Sequence, residues 1–170
     1  MKKLFKFLSL ALASVSLLLP SASALKHIDE SVLEEMIKDP TLINAYAEEA
    51  HREYKQLKSA GMRSDLITLK IEIASAMEKL AKKDAEYNKP ARGVCLHGYR
   101  DSRTYVSKLS ARFALNLYRL FAPPSGEKFE LEDLREGAIF FSIKNIREGR
   151  PLRICLIEKV RGYATCCDIE

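Results

Sequence analysis

The first 24 residues have the pattern of a cleavable Sec-type export signal, and this pattern constrains the rest of the chain most. Lysines at positions 2, 3 and 6 precede an uncharged run from Phe7 to Leu19, and Pro20 and the small residues Ser21–Ala24 follow it. A run of thirteen residues is too short to span a bilayer, which needs about 20 apolar residues. We therefore predict cleavage before Leu25 and an exported mature chain, in a bacterial periplasm or outside the cell.

The charge of the mature chain argues against nucleic-acid binding. Three of the 28 basic residues and none of the 23 acidic residues lie in the export signal, which leaves 25 bases against 23 acids. A domain so close to neutral lacks the basic surface that binds a phosphate backbone. No later apolar run approaches membrane-spanning length, and residues 25–170 suit one domain with its own core. The oligomeric state leaves no mark in the sequence.

Residues 29–122 have the apolar spacing of helices. Four segments share this 3.6-residue period: one that opens with the capping-box residues Ser31–Glu34, one from Asp39-Pro40 to Gly61, one from about Ser64 to Tyr87, and one from Asp101 to Phe121. The sequence 123–126 (PPSG) then ends the helical part.

Residues 127–170 change to short apolar runs that are typical of strands. The runs are 138–146, 152–158 and 163–169, with turns at 147–151 and 160–162. A helix from Glu130 to Ile146 is the alternative, because Leu131, Leu134 and Phe141 also fit helical spacing, but Gly137 favours a strand. We predict an α+β fold of four N-terminal helices followed by a small antiparallel β-meander stapled by disulfides, with a mostly α fold as the alternative.

The four cysteines, Cys95, Cys155, Cys166 and Cys167, predict two disulfides in an exported protein. A two-residue turn at Val160-Arg161 would place Cys155 opposite Cys166 in a hairpin. Because strand side chains alternate, Cys167 would then face the helices and pair with Cys95. A shifted turn would instead give Cys155–Cys167 and Cys95–Cys166.

The arginine distribution predicts where an anionic partner binds. Residues 91–170 hold ten of the twelve arginines, whose planar guanidinium matches carboxylate and phosphate geometry. Lys108, Arg112 and Arg119 lie along one stripe of the fourth predicted helix. We expect this stripe to bind an anionic protein or cell-envelope component; a solvated surface with local ion pairs is the alternative.

Two segments suggest an enzyme. Gly93-Val94-Cys95 before a helix, and the turn and strand at 134–141 (LREGAIFF), resemble papain-like cell-wall peptidases and amidases, in which a nucleophilic Cys opens a helix that strands follow. The resemblance implies Cys95 as the nucleophile, with His97 as the nearest base. However, Ala138 stands where those enzymes have Asp, and no His follows His97, although the family takes its base from a downstream strand.

Other catalytic patterns are absent from the sequence. It contains no Ser-His-Asp pattern, phosphate loop, calcium loop or zinc-ligand spacing, so no cofactor or metal is expected. His51, in the charged stretch Glu48–Glu53, is predicted to lie on a solvated helix face. We therefore predict a non-enzymatic exported binding protein, such as an inhibitor, immunity-type protein or envelope adaptor, with the Cys95 hydrolase as the alternative.

Overall fold

The computed structural model describes Leu25 and residues 28–84, 103–104 and 107–170. The fold of these residues is α+β, as predicted, with the helices preceding most of the sheet. The elements are α1 (Glu30–Lys38), α2 (Thr41–Ser59), α3 (Arg63–Lys82), β1 (Arg103–Thr104), α4 (Lys108–Phe121), a 3₁₀ turn (Leu131–Asp133), β2 (Leu134–Phe141), α5 (Ile143–Arg147), β3 (Leu152–Glu158) and β4 (Ala164–Ile169).

The strands form one antiparallel sheet in the order β1-β2-β3-β4. Helix α4 packs against β2 and β3 on one side and against α2 and α3 on the other. Phe113 and Leu117 of α4 are fully buried and share the main core with Ile139 and Ile154 of the sheet. Helix α4 is therefore covered on two sides, by the sheet and by α2 and α3, and only a narrow stripe of the helix faces outward.

Gly137 allows α4 to lie close to β2. A Cβ atom at this position would come within 2.8 Å of both the Ala111 Cα and the Ala114 Cβ. The Ser110 hydroxyl donates a hydrogen bond to the Gly137 carbonyl at 3.2 Å across the same contact. Gly137 thus allows the close packing of α4 on β2. The same glycine was the reason for predicting a strand rather than a helix in this segment.

The prediction for residues 130–146 was only partly right. Strand β2 begins at Leu134 and ends at Phe141, so it starts and ends earlier than the run 138–146, and α5 occupies 143–147. The long helix considered as the alternative is absent from this described segment. The apolar spacing was compatible with both a helix and a strand. The strand is stabilised by the pairing of β2 with β3 and by the packing of β2 on α4.

The predicted fourth helix also starts too early. Helix α4 begins at Lys108, and Arg103–Thr104 pair with the end of β2 as β1. A two-residue strand is too short to show a periodic pattern, so β1 could not be distinguished from the helical segments predicted for residues 29–122. Helix α3 likewise ends at Lys82 rather than near Tyr87, and residues 85–87 lie outside the described part.

The cap of α1 differs from the capping box expected at Ser31. Asp29 is the N-cap, and its carboxylate accepts hydrogen bonds from the Val32 amide at 3.0 Å and the Ser31 hydroxyl at 2.8 Å. Asp39 likewise accepts from the Thr41 hydroxyl at 2.6 Å and from the Thr41 amide at 3.1 Å at the start of α2. These bonds lower the pKa of both carboxyls, since they favour the charged form.

The β3–β4 hairpin has the predicted register with a wider turn. Cys155 lies opposite Cys166, and Leu152 opposite Ile169. The strands end at Glu158 and resume at Ala164, and Gly162 adopts a positive φ of 67° in the connection. The register survives because a connection longer than the predicted two residues is centred on the same point.

Candidate functional site

Helix α4 positions the outward stripe that the sequence singled out. Ser107 caps the helix by accepting a hydrogen bond from the Ser110 amide at 2.9 Å, and the Asp84 carboxylate accepts from the Leu109 amide at 3.1 Å. Lys108 is exposed at the first turn, Arg112 is half-buried, and Arg119 is exposed near the end. The spacings of four and seven residues keep all three on one side of the helix.

Arg112 and Arg119 border a polar cleft of about 200 Å³ between α2, α4 and the 3₁₀ turn. Lys108 is not among its lining residues. The structure therefore brings two of the three predicted residues to one site. The cleft is lined by Asn44, Arg112, Leu115, Asn116, Arg119, Glu130, Leu131 and Glu132.

Two asparagines form the wall of the cleft between the helices. The Asn116 side-chain amide donates to the Asn44 Oδ1 at 2.6 Å and to the Arg112 backbone carbonyl at 2.8 Å. Asn116 thereby uses both amide hydrogens, whereas the Asn44 amide hydrogens have no side-chain acceptor among the described residues. This pair was not predictable from the sequence, because its members are 72 positions apart and polar residues on helices have no distinctive spacing.

The two arginines of the cleft differ in their partners. Arg119 donates to the Phe129 carbonyl at 2.7 Å and forms an ion pair with Glu130 at 2.9 Å. Arg112 has no carboxylate within ion-pair distance among the described residues. Arg119 is thus held by its own chain, and Arg112 presents the guanidinium that a ligand can reach.

A larger depression of about 620 Å³ lies beside the 122–130 connection but offers less chemistry. Tyr118 and Phe129, which line it, are buried and pack edge to face with ring centroids 5.8 Å apart. Three of its four charged lining residues are already paired, since Arg119 pairs with Glu130 and Glu127 pairs with Arg161; the fourth is Lys128. We therefore place the candidate site in the smaller cleft.

The described cysteines do not form a catalytic site. Cys155 and Cys166 are disulfide-bonded, as predicted. Cys167 has no disulfide partner within the described residues, and burial, with a smaller effect of Asp168, raises the pKa of its thiol to about 12. Such a thiol stays protonated at neutral pH and is a poor nucleophile.

The predicted alternative site, Cys95 and His97, lies outside the described residues. Ala138, at the position of the family's Asp, is fully buried in β2 opposite Cys155. In the described ranges, His, Cys, Asp and Glu side chains nowhere gather in the threes that a metal site requires. Nor does any helix of this part have the length and apolarity needed to cross a bilayer.

Comparison with known proteins adds no relative: no family model, curated protein or solved structure matches the chain.

Proposed function

We propose that this protein is an exported, non-enzymatic binding protein that holds an anionic partner at the outward side of α4, with Arg112 as the central contact. The partner is an acidic protein segment or an anionic component of the cell envelope. Its carboxylate or phosphate oxygens accept hydrogen bonds from Arg112 and from the Asn44 amide, and Lys108 adds charge at the edge of the site.

The observation that carries this proposal is the state of Arg112. Its guanidinium borders an open polar cleft and has no carboxylate partner among the described residues, whereas the neighbouring Arg119 is bound to Glu130. Hydrogen bonds to a charged group contribute roughly 1.5–3 kcal/mol. Glu130 and Glu132 also line the cleft, so a partner should place its anionic group beside Arg112 and away from these two carboxylates.

Two features support export. The Cys155–Cys166 disulfide suits an oxidising compartment. Leu25 and Ile28 are buried in the main core, and Lys79 donates to the Ile28 carbonyl at 2.7 Å. A mature chain that begins at Leu25 therefore keeps these core contacts.

A charge-reversal experiment tests the site. We expect the double variant Lys108→Glu/Arg112→Glu to bind a fluorescein-labelled hexaglutamate peptide about tenfold or more weakly than the wild type at low salt, measured by fluorescence anisotropy. Binding of the wild type should also weaken as salt is added, because ions screen exposed charges.

The matched control is Lys144→Glu/Arg147→Glu, which changes the net charge equally on α5. Both control residues are exposed and have no ion pair with described residues. The control should lose affinity only through the general charge change. Equal losses in the two double variants would show that no localised site exists.

A further inference from the structure

Among the described strands, β4 forms one edge of the sheet, and the hydrogen-bond pattern identifies the groups at that edge. The Glu158 amide donates to the Tyr163 carbonyl at 3.2 Å, so these opposed residues form a hydrogen-bonded pair. Hydrogen-bonded and non-hydrogen-bonded pairs alternate along an antiparallel ladder. The amides and carbonyls of Thr165, Cys167 and Ile169 therefore face β3.

The groups that face outward belong to Ala164, Cys166 and Asp168. The Cα atoms of Cys155 and Cys166 are 4.1 Å apart, which independently marks theirs as a non-hydrogen-bonded pair. No described residue outside the β3–β4 ladder forms a backbone hydrogen bond with any of these three residues, and all three are half-buried. Within the described part of the chain, their three amides and three carbonyls therefore have no backbone partner.

Strand β4 lacks most of the features that commonly protect an edge, and its one charged residue, Asp168, is paired with Arg153 of β3. Natural edge strands are often shortened, bulged, or marked by lysine or proline. β4 spans six residues in unbroken register with β3 and contains neither lysine nor proline. An edge of this kind is a template for strand addition, the mode by which several peptide-binding domains hold an extended segment.

The two ends of the edge differ in chemistry. Beyond its start, Val160 and Tyr163 are 95% and 71% exposed. Beyond its end lies Lys58, which is exposed, donates to the Tyr54 hydroxyl at 2.8 Å and interacts electrostatically with Glu170. Two exposed apolar residues therefore lie at one end of β4 and an exposed lysine lies at the other.

We propose that the outer edge of β4 binds an extended peptide segment of a partner protein, with an apolar residue beside Val160 and Tyr163 and an acidic residue beside Lys58. In a dimer formed by antiparallel pairing of two β4 strands about Cys166, Gly162 of the second copy would lie beside Glu170 of the first. The second copy would then bring no acidic side chain to Lys58. The positive charge of Lys58 therefore favours a strand from a different protein. This surface is separate from the Arg112 cleft, so either proposal can fail without the other.

Amide exchange followed by NMR tests the proposal with a synthetic peptide, acetylated Glu-Val-Thr-Val-Thr-Val, whose antiparallel docking would bring its Glu to Lys58. In the free protein the amides of Ala164, Cys166 and Asp168 should exchange rapidly, and those of Thr165 and Cys167 slowly. Saturating peptide should slow the first three by about tenfold or more, since each gains a hydrogen-bond acceptor. The counterpart peptide that begins with Lys should bind more weakly.

Ala164→Pro is the matched variant, since it removes an outward amide that the β3–β4 ladder does not use. It should abolish the peptide-induced protection at Cys166 and Asp168 while β3 amides stay protected in the free variant. Val160→Ser provides a second test that leaves the backbone unchanged, and it should weaken binding severalfold.

Three results would overturn the proposal. The first is unchanged exchange at Ala164, Cys166 and Asp168 under saturating peptide. The second is slow exchange of these amides in the free monomer. The third is protection that appears with rising protein concentration alone, which would identify a second copy as the occupant.

Discussion

His51 shows how burial of one side chain changes the properties of a charged segment. The stretch Glu48–Glu53 predicted a solvated face, yet the His51 ring lies half-buried and edge-on to Phe121, with centroids 4.9 Å apart. Tyr54 packs on the same ring at 5.0 Å. Burial, and to a smaller extent the charge of Lys55, lowers the pKa of His51 from the usual 6.5. The prediction of a solvated histidine was therefore wrong.

This burial predicts a pH dependence of stability. Because the folded-state pKa lies below the unfolded value of 6.5, the contribution of neutral His51 is complete above that pH and is lost as the pH falls through the folded pKa. Urea unfolding between about pH 8 and pH 5 should show a smaller acid-side loss of stability for His51→Gln than for the wild type. Parallel profiles for the two proteins would contradict this assignment.

At the scale of elements, the α4–β2 contact predicts an unusual effect of a glycine substitution. Gly→Ala in a strand commonly stabilises by about 0.4–1 kcal/mol where the backbone accepts it. At Gly137 the new methyl would meet the backbone of Ala111 and the methyl of Ala114 at 2.8 Å. We expect Gly137→Ala to lower the free energy of unfolding by roughly 1–3 kcal/mol, as overpacking does.

Chemical denaturation measures this change, and Glu136→Ala serves as the control in the same strand. Glu136 is half-buried and pairs with Arg135, so its loss should cost under about 1 kcal/mol. A Gly137→Ala variant as stable as the wild type would mean that α4 can move away from β2 at no cost.

The elements that were predictable from the sequence are those with a single compatible period. Helix α2 and strands β3 and β4 follow from apolar spacing and turn residues alone, and their observed limits lie within two residues of the predicted ones. Residues 131–141 satisfied two periods at once, so tertiary pairing had to decide between helix and strand.

The candidate site was predictable to a similar degree. Helical spacing alone placed Arg112 on the outward stripe of α4. The ion pair between Arg119 and Glu130 depends on the position of the chain before the 3₁₀ turn. Helical spacing in the sequence does not predict that position. The contact between Asn44 and Asn116 arises from the packing of α2 on α4, which local patterns do not encode.

At the scale of the whole molecule, the cysteines of β3 and β4 lie on both faces of the sheet. Cys166 belongs to a small cluster on the outer face, with Ala138 and Phe140, whereas Cys167 packs against the main core on the helix side. Adjacent strand residues point to opposite faces, so the two cysteines serve different layers. The disulfide on the outer face joins β3 to the edge strand β4.

This division predicts the remaining connectivity, which involves Cys95 outside the described residues. We expect non-reducing peptide mapping of the protein, expressed from Met1 and then purified, to join Cys155 to Cys166 and Cys95 to Cys167. We expect its N-terminal peptide to begin at Leu25. A disulfide stabilises the fold because it restricts the unfolded chain, and the effect grows with the length of the closed loop. Cys166→Ser removes the first bridge and should lower the free energy of unfolding by roughly 3 kcal/mol. Cys95→Ser removes the second bridge, which closes a longer loop, and should lower it by roughly 4 kcal/mol. Denaturant unfolding of the two variants measures both costs. A free thiol at Cys95 would refute the second bridge and would support a nucleophilic role for that residue. Retention of Met1 would refute cleavage of the signal and with it the export proposal.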